Sequence, residues 1–119
     1  MYCNANGIRG KIRSIETAAQ TQSAHVICIT ETRGPAPKIE GYNRWYEKLR
    51  DQSKGGGVAI AVRDDIANKC QPVDDIEDVD QEVKWIQIST QKNKQLFVGV
   101  YYGKQEKHDK LDLVEREFS

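Results

Sequence analysis

The chain has 119 residues, with Lys+Arg and Asp+Glu balanced at 18 each, 38% hydrophobic and 30% charged. That length suits one small domain, and zero net charge excludes binding to nucleic acid through a global basic field, so any such contact needs a local patch. The three cysteines show no CxxC or Cys/His spacing, which argues against zinc and for reduced thiols in an intracellular protein, nuclear or cytoplasmic. No apolar run reaches membrane-spanning length, and no signal peptide is visible.

In chain order, residues 1–5 read as a strand and Asn6-Gly7 as a turn. Ile12, Ile15, Ala18 and Ala19 recur at helical spacing, which predicts a helix over residues 10–22 covering one face of a sheet. The apolar run within residues 24–30, Ala-His-Val-Ile-Cys-Ile-Thr, is rich in β-branched residues and too short for an amphipathic helix. It predicts a strand buried on both faces, which delivers Glu31 to the sheet rim. A strand, a turn, a helix and a buried strand in that order argue an α/β fold.

Pro35 and Pro37 hold residues 33–40 open as a loop, and residues 41–46, Gly-Tyr-Asn-Arg-Trp-Tyr, read as a short aromatic strand. Gly55-Gly56-Gly57 leads into a second buried strand, Val58 to Val62. No helix is predicted after the glycines and no GKS or GKT triplet is present, so a phosphate loop is not indicated. The acidic stretch from Asp74 to Gln81 lacks the glycine and spacing of an EF-hand and reads as a solvated loop. Residues 83–89 and 95–102 are two further strands, with Gln91 to Lys94 as the hairpin turn between them. Leu111, Val114 and Phe118 recur at helical spacing and predict an amphipathic helix from Asp109 to Phe118. With a first strand that begins at once and a last helix left without a surface, the chain is expected to be a fragment of a larger domain.

Asn4, Glu31 and Tyr102 each fall at or near a strand end. A carboxylate beside a carboxamide is an oxygen-rich pair that suits Mg²⁺ rather than zinc. A metal so held polarises a phosphoryl oxygen, and a tyrosine hydroxyl at the same rim can orient a phosphate. Asn4-Ala5-Asn6-Gly7-Ile8, Ile29-Thr30-Glu31-Thr32-Arg33, Gly55-Gly56-Gly57-Val58-Ala59-Ile60 and Val98-Gly99-Val100-Tyr101-Tyr102 follow in that order. Together they resemble the endonuclease/exonuclease/phosphatase family, closest to its branch in non-LTR (LINE-type) retrotransposons. The specific signal is the ordered set, since no one of the four motifs suffices.

The resemblance covers nearly the whole chain and implies a layered α/β sandwich with two packed mixed β-sheets, of which residues 1–119 are the N-terminal half. It implies a Mg²⁺-dependent hydrolase that cleaves a phosphodiester bond, with DNA as partner. Glu31 and Asn4 would be the metal-binding residues, and Asn4, Glu31 and Tyr102 the catalytic set. Tyr101 is less suited than Tyr102 by register. The family's Gly-Asp-Phe-Asn type strand, its later Ser/Thr and Asp, and the C-terminal Asp-His pair that activates water have no counterpart in this sequence. The general base is therefore missing, and the chain is expected to be inactive alone. The missing half would follow it, with a reverse transcriptase beyond. His25 and His108 do not replace the base. Arg33, Lys38, Arg44, Arg50 and Lys54, with Trp45, Tyr42 and Tyr46 among them, are candidate nucleic-acid contacts, and a solvated loop with Trp45 in the core is the alternative of equal standing. Two other readings stand beside this one: a non-catalytic relic or nucleic-acid-binding remnant, and a phosphomonoesterase of the same family.

Overall fold

The computed structural model describes residues 1–5, 7–35, 38–48, 57–73, 81–90, 94–103 and 108–117, with side chains except at 81, 82 and from 102 onward. It is a mixed α/β structure. Among the described residues, two four-stranded sheets accompany one α-helix. The first sheet runs β1 (Tyr2–Asn4), β2 (Val26–Thr30), β4 (Val58–Val62) and β3 (Arg44–Lys48). The second follows chain order as β5 (Cys70–Val73), β6 (Gln81–Ser89), β7 (Lys94–Gly103) and β8 (His108–Glu117).

β1 and β2 are parallel, with Asn4 opposite Thr30. Parallel neighbours need a long crossover. Here it is a 3₁₀ turn at Ile8–Lys11 followed by α1 (Ile12–Gln22). Ser23 ends α1 in the left-handed conformation, its N–H directed at the carbonyls of Ala19 and Gln20. That satisfies carbonyls the last turn would otherwise leave open.

Strand alternation sorts the first sheet into two cores. Ile27, Ile29 and Ala61 join Ile15 and Ala19 of α1, while Cys28, Val58, Ile60 and Val62 join Ile86, Ile88, Val98 and Val100 of the second sheet. Small alanines lie on the helix side of β4, and branched residues on the other side fill the space between sheets. All five residues of β4 are buried, as a strand covered on both faces requires.

Three strands take boundaries or types that the sequence pattern did not indicate. Residues 41–46 were expected as one strand, but β3 begins at Arg44. Gly41 turns the chain at φ +88°, and Asp64 accepts hydrogen bonds from the backbone N–H and side-chain amide of Asn43. β5 is short and contains Pro72, which hid it. A proline is tolerated there because β5 is an edge strand. The helix expected from Asp109 to Phe118 is instead the strand β8, paired along its whole length with β7. Leu111 and Leu113 fall opposite Val100 and Val98, so the alternation Leu-Asp-Leu outweighs the helical spacing of Leu111 and Val114.

The hairpin between β6 and β7 is present, with Ser89 opposite Gln95. Its turn residues 91–93 lie outside the described residues, as do Asn6, Arg50, Lys54, Gly55, Gly56 and the acidic stretch 74–80. Among the described residues no helix is long and apolar enough to cross a membrane.

Candidate functional site

The parallel register of β1 and β2 carries both strands to the same end of the sheet. Asn4 is the last residue of β1 and exposed, and Glu31 follows the last residue of β2. Beyond the strands the two segments stay paired. The Ala5 N–H donates to the Thr30 carbonyl at 2.9 Å, Gly7 to Glu31 at 2.8 Å and Ile8 to Thr32 at 2.9 Å. Gly7 stands at φ +97°, a backbone conformation that glycine adopts without strain.

The backbone at Glu31 is unusual. Glu31 and Arg33 both stand at φ +53°, on either side of Thr32. Left-handed backbone costs a non-glycine residue about 1–2 kcal/mol, and it persists only where the surroundings over-determine it. Here the Gly7, Ile8 and Gly57 contacts do so, the last through the Thr32 N–H, which donates to the Gly57 carbonyl at 3.2 Å. The Glu31 side chain is 18% exposed and lies 3.9 Å from the Arg33 guanidinium, which is 47% exposed. At 3.9 Å, with the guanidinium about half exposed, this pair adds little stability, so the carboxylate remains available to a stronger partner.

Thr32 is 1% exposed, and its hydroxyl has no hydrogen-bond partner among the described residues. A Cβ at Gly57 would overlap that hydroxyl oxygen, so the glycine is what leaves room for it. Close by, the hydroxyls of Tyr2 and Thr30 share a hydrogen bond at 3.1 Å.

Tyr102 belongs to β7 of the second sheet, where its backbone pairs with Glu82 and Asp109; its side chain lies outside the described residues. Arg33 stands at the Glu31 rim. Lys38 is exposed beside Ile39, which bridges to Tyr42. Arg44 is elsewhere, opposite Val62, whose other neighbour is Val26 at the start of β2. It therefore stands four residues of strand from the rim, about 13 Å at the usual rise. Trp45 packs on the α1 side of the first sheet and its indole N–H donates to the Tyr42 carbonyl at 2.8 Å, so its ring serves the core.

The rim has residues that pattern reading passed over. Lys48 lies opposite Val58, which pairs with Thr30, so Lys48 shares the Glu31 end of the sheet two strands away. Only the β3–β4 register reveals this. Thr32 was hidden for another reason, since nothing in sequence distinguishes a buried unpartnered threonine from a loop one.

Among the described residues no group of three or more His, Cys, Asp or Glu converges as a metal cage. Mg²⁺ does not require one, because waters and substrate phosphates commonly complete a shell begun by one or two carboxylates. Glu31 with the amide oxygen of Asn4 fits such a partial donor set. A cavity of about 200 Å³ beside β1, lined by Met1, Cys3, Asn4, Ala5, Lys11, Ser14, Ile15 and Ala18, holds no carboxylate. Comparison with protein-family models and with curated proteins gave no match.

Proposed function

We propose that this chain carries the metal-binding part of a Mg²⁺-dependent phosphodiesterase of the endonuclease/exonuclease/phosphatase type, similar to the DNA-nicking endonucleases of non-LTR retrotransposons. The observation that carries the reading is the parallel β1–β2 register, in which Asn4 lies opposite Thr30, the residue before Glu31, so that both strands end at the same rim. The finer architecture that goes with it is a layered α/β sandwich. In it α1 and the first and second sheets form successive layers, and these residues are the N-terminal half of the domain.

Glu31 and Asn4 would hold the metal, with Arg33 and Lys48 at the same end of the sheet to neutralise the phosphates of a bound strand. Bound there, Mg²⁺ would supply Lewis-acid polarisation of the phosphoryl oxygen and charge stabilisation at the leaving oxygen. Tyr102 would orient the phosphate by hydrogen bonding. The attacking water needs a base that the 119 residues do not supply. Loss of such a base costs about 10²–10⁴-fold, so this chain alone should not nick DNA. That deficit equally favours a second reading, a non-catalytic remnant that retains binding without turnover.

Isothermal titration with MgCl₂ and a plasmid-nicking assay test the proposal together. Wild-type chain should bind Mg²⁺, Glu31→Gln should lose that binding, and neither should nick. Mg²⁺ binding untouched by Glu31→Gln would refute the site. EDTA-sensitive nicking by the pure chain would refute the incomplete machinery.

A further inference from the structure

The rim holds a polar group that folding does not use. Thr32 is almost fully buried, yet its hydroxyl has no partner among the described residues. Valine has nearly the same shape and would avoid the penalty of an unsatisfied buried hydroxyl. The chain also keeps a glycine at position 57, with φ +91°, where any Cβ would overlap the hydroxyl oxygen. A buried unpartnered hydroxyl and the glycine that makes room for it thus meet at Thr32, next in sequence to Glu31. Glu31 and Arg33, on either side of Thr32, are themselves left-handed. Backbone strain and orphaned polar groups gathered at one place mark a position shaped for function rather than stability.

We propose that Thr32, seated against Gly57, is a positioning residue for the Glu31 carboxylate, and that its hydroxyl serves the hydrogen-bond network of the metal-loaded rim. This rests on the metal-binding reading of Glu31. The Thr32 backbone is fixed on both sides: its N–H donates to Gly57 and its carbonyl accepts from Ile8. The hydroxyl is a buried hydrogen-bonding group of this turn with no partner among the described residues. Groups that orient a metal ligand in this way typically change affinity by roughly 10- to 100-fold when removed.

The test is a titration of the full chain with MnCl₂, read by paramagnetic broadening of backbone amide signals at Ala5, Gly7, Glu31 and Thr32, alongside urea denaturation. In wild type those signals should broaden first. Thr32→Val should unfold at the same or higher urea concentration, yet need roughly 10- to 100-fold more Mn²⁺ for the same broadening. Thr32→Ser, which keeps the hydroxyl, should stay close to wild type. A merely structural threonine would show the reverse, with stability lost and Mn²⁺ response kept. Thr32→Val with wild-type Mn²⁺ response, or one that fails to fold, overturns this proposal alone. Absence of selective broadening in wild type overturns the metal reading and this inference with it.

Discussion

Gly57→Ala measures how tightly the rim is built. A methyl group there meets two obstacles. The backbone stands at φ +91°, which costs an L-residue about 1–2 kcal/mol. The new Cβ would also overlap the Thr32 hydroxyl oxygen, with the Arg33 nitrogen at 3.6 Å and the Thr32 Cβ at 3.7 Å closing the other directions. Overpacking of a well-filled site costs about 1–3 kcal/mol, so the substitution should destabilise by about 2–5 kcal/mol in all. The two parts separate in a double-mutant cycle. In a Thr32→Ala background the oxygen is gone and only the backbone part remains, so the same glycine change should cost about 1–2 kcal/mol. Urea denaturation of the four proteins, with shared slopes to verify that all unfold alike, gives the coupling. An equal cost in both backgrounds would show that Thr32 does not press on Gly57, and a stabilising Gly57→Ala would refute the geometry outright.

Other substitutions probe the rest of the molecule. Burial pushes the Cys28 thiol from 9.0 up to about 12. The folded state therefore keeps a proton that the unfolded chain releases near pH 9. Its contribution to stability is complete below that pH and falls as pH rises toward 12, by about 1.4 kcal/mol per unit. Denaturation midpoints that drop less steeply above pH 9 in Cys28→Val than in wild type would confirm this, and parallel profiles would refute it. Gly99→Ala should destabilise, because its Cβ would stand 2.5 Å from the Trp85 ring on the neighbouring strand. The cost, about 1–3 kcal/mol before the gain from replacing a strand glycine, should vanish in a Trp85→Leu background. A stabilised Gly99→Ala single variant would show that the ring is not seated there.

Local pattern in the sequence determined the strands whose burial is uniform and the helix whose apolar face is regular. β2 and β4 are short β-branched runs that can only be buried strands, and Ile12, Ile15 and Ala19 can only be one face of a helix. Those elements, in that order, already place Glu31 at the end of a central strand. The C-terminal segment shows the limit. Leu111 and Leu113 fit period 2 while Leu111 and Val114 fit helical spacing, and pairing with β7 made the alternation win. The same holds for β5, whose proline is acceptable only at a sheet edge.

The rim itself was half legible. Asn4 and Glu31 are polar residues at strand ends, which pattern alone can find, but whether they share an end depends on β1 being parallel to β2. Arg44 reads as a contact because it is basic in a polar stretch, while Trp45 reads equally as a contact or as core, and packing settles it as core. The antiparallel β3–β4 register sends Arg44 to the far end of the sheet and puts Lys48 at the near one. Thr32 and Gly57 could not be paired from sequence, since 25 positions separate them and only the closing of β4 onto β2 brings a glycine against that hydroxyl. Side-chain type and period are local properties of the chain. Which rim a residue reaches, and which buried group is left without a partner, are decided by strand direction and register, which exist only in the folded sheet.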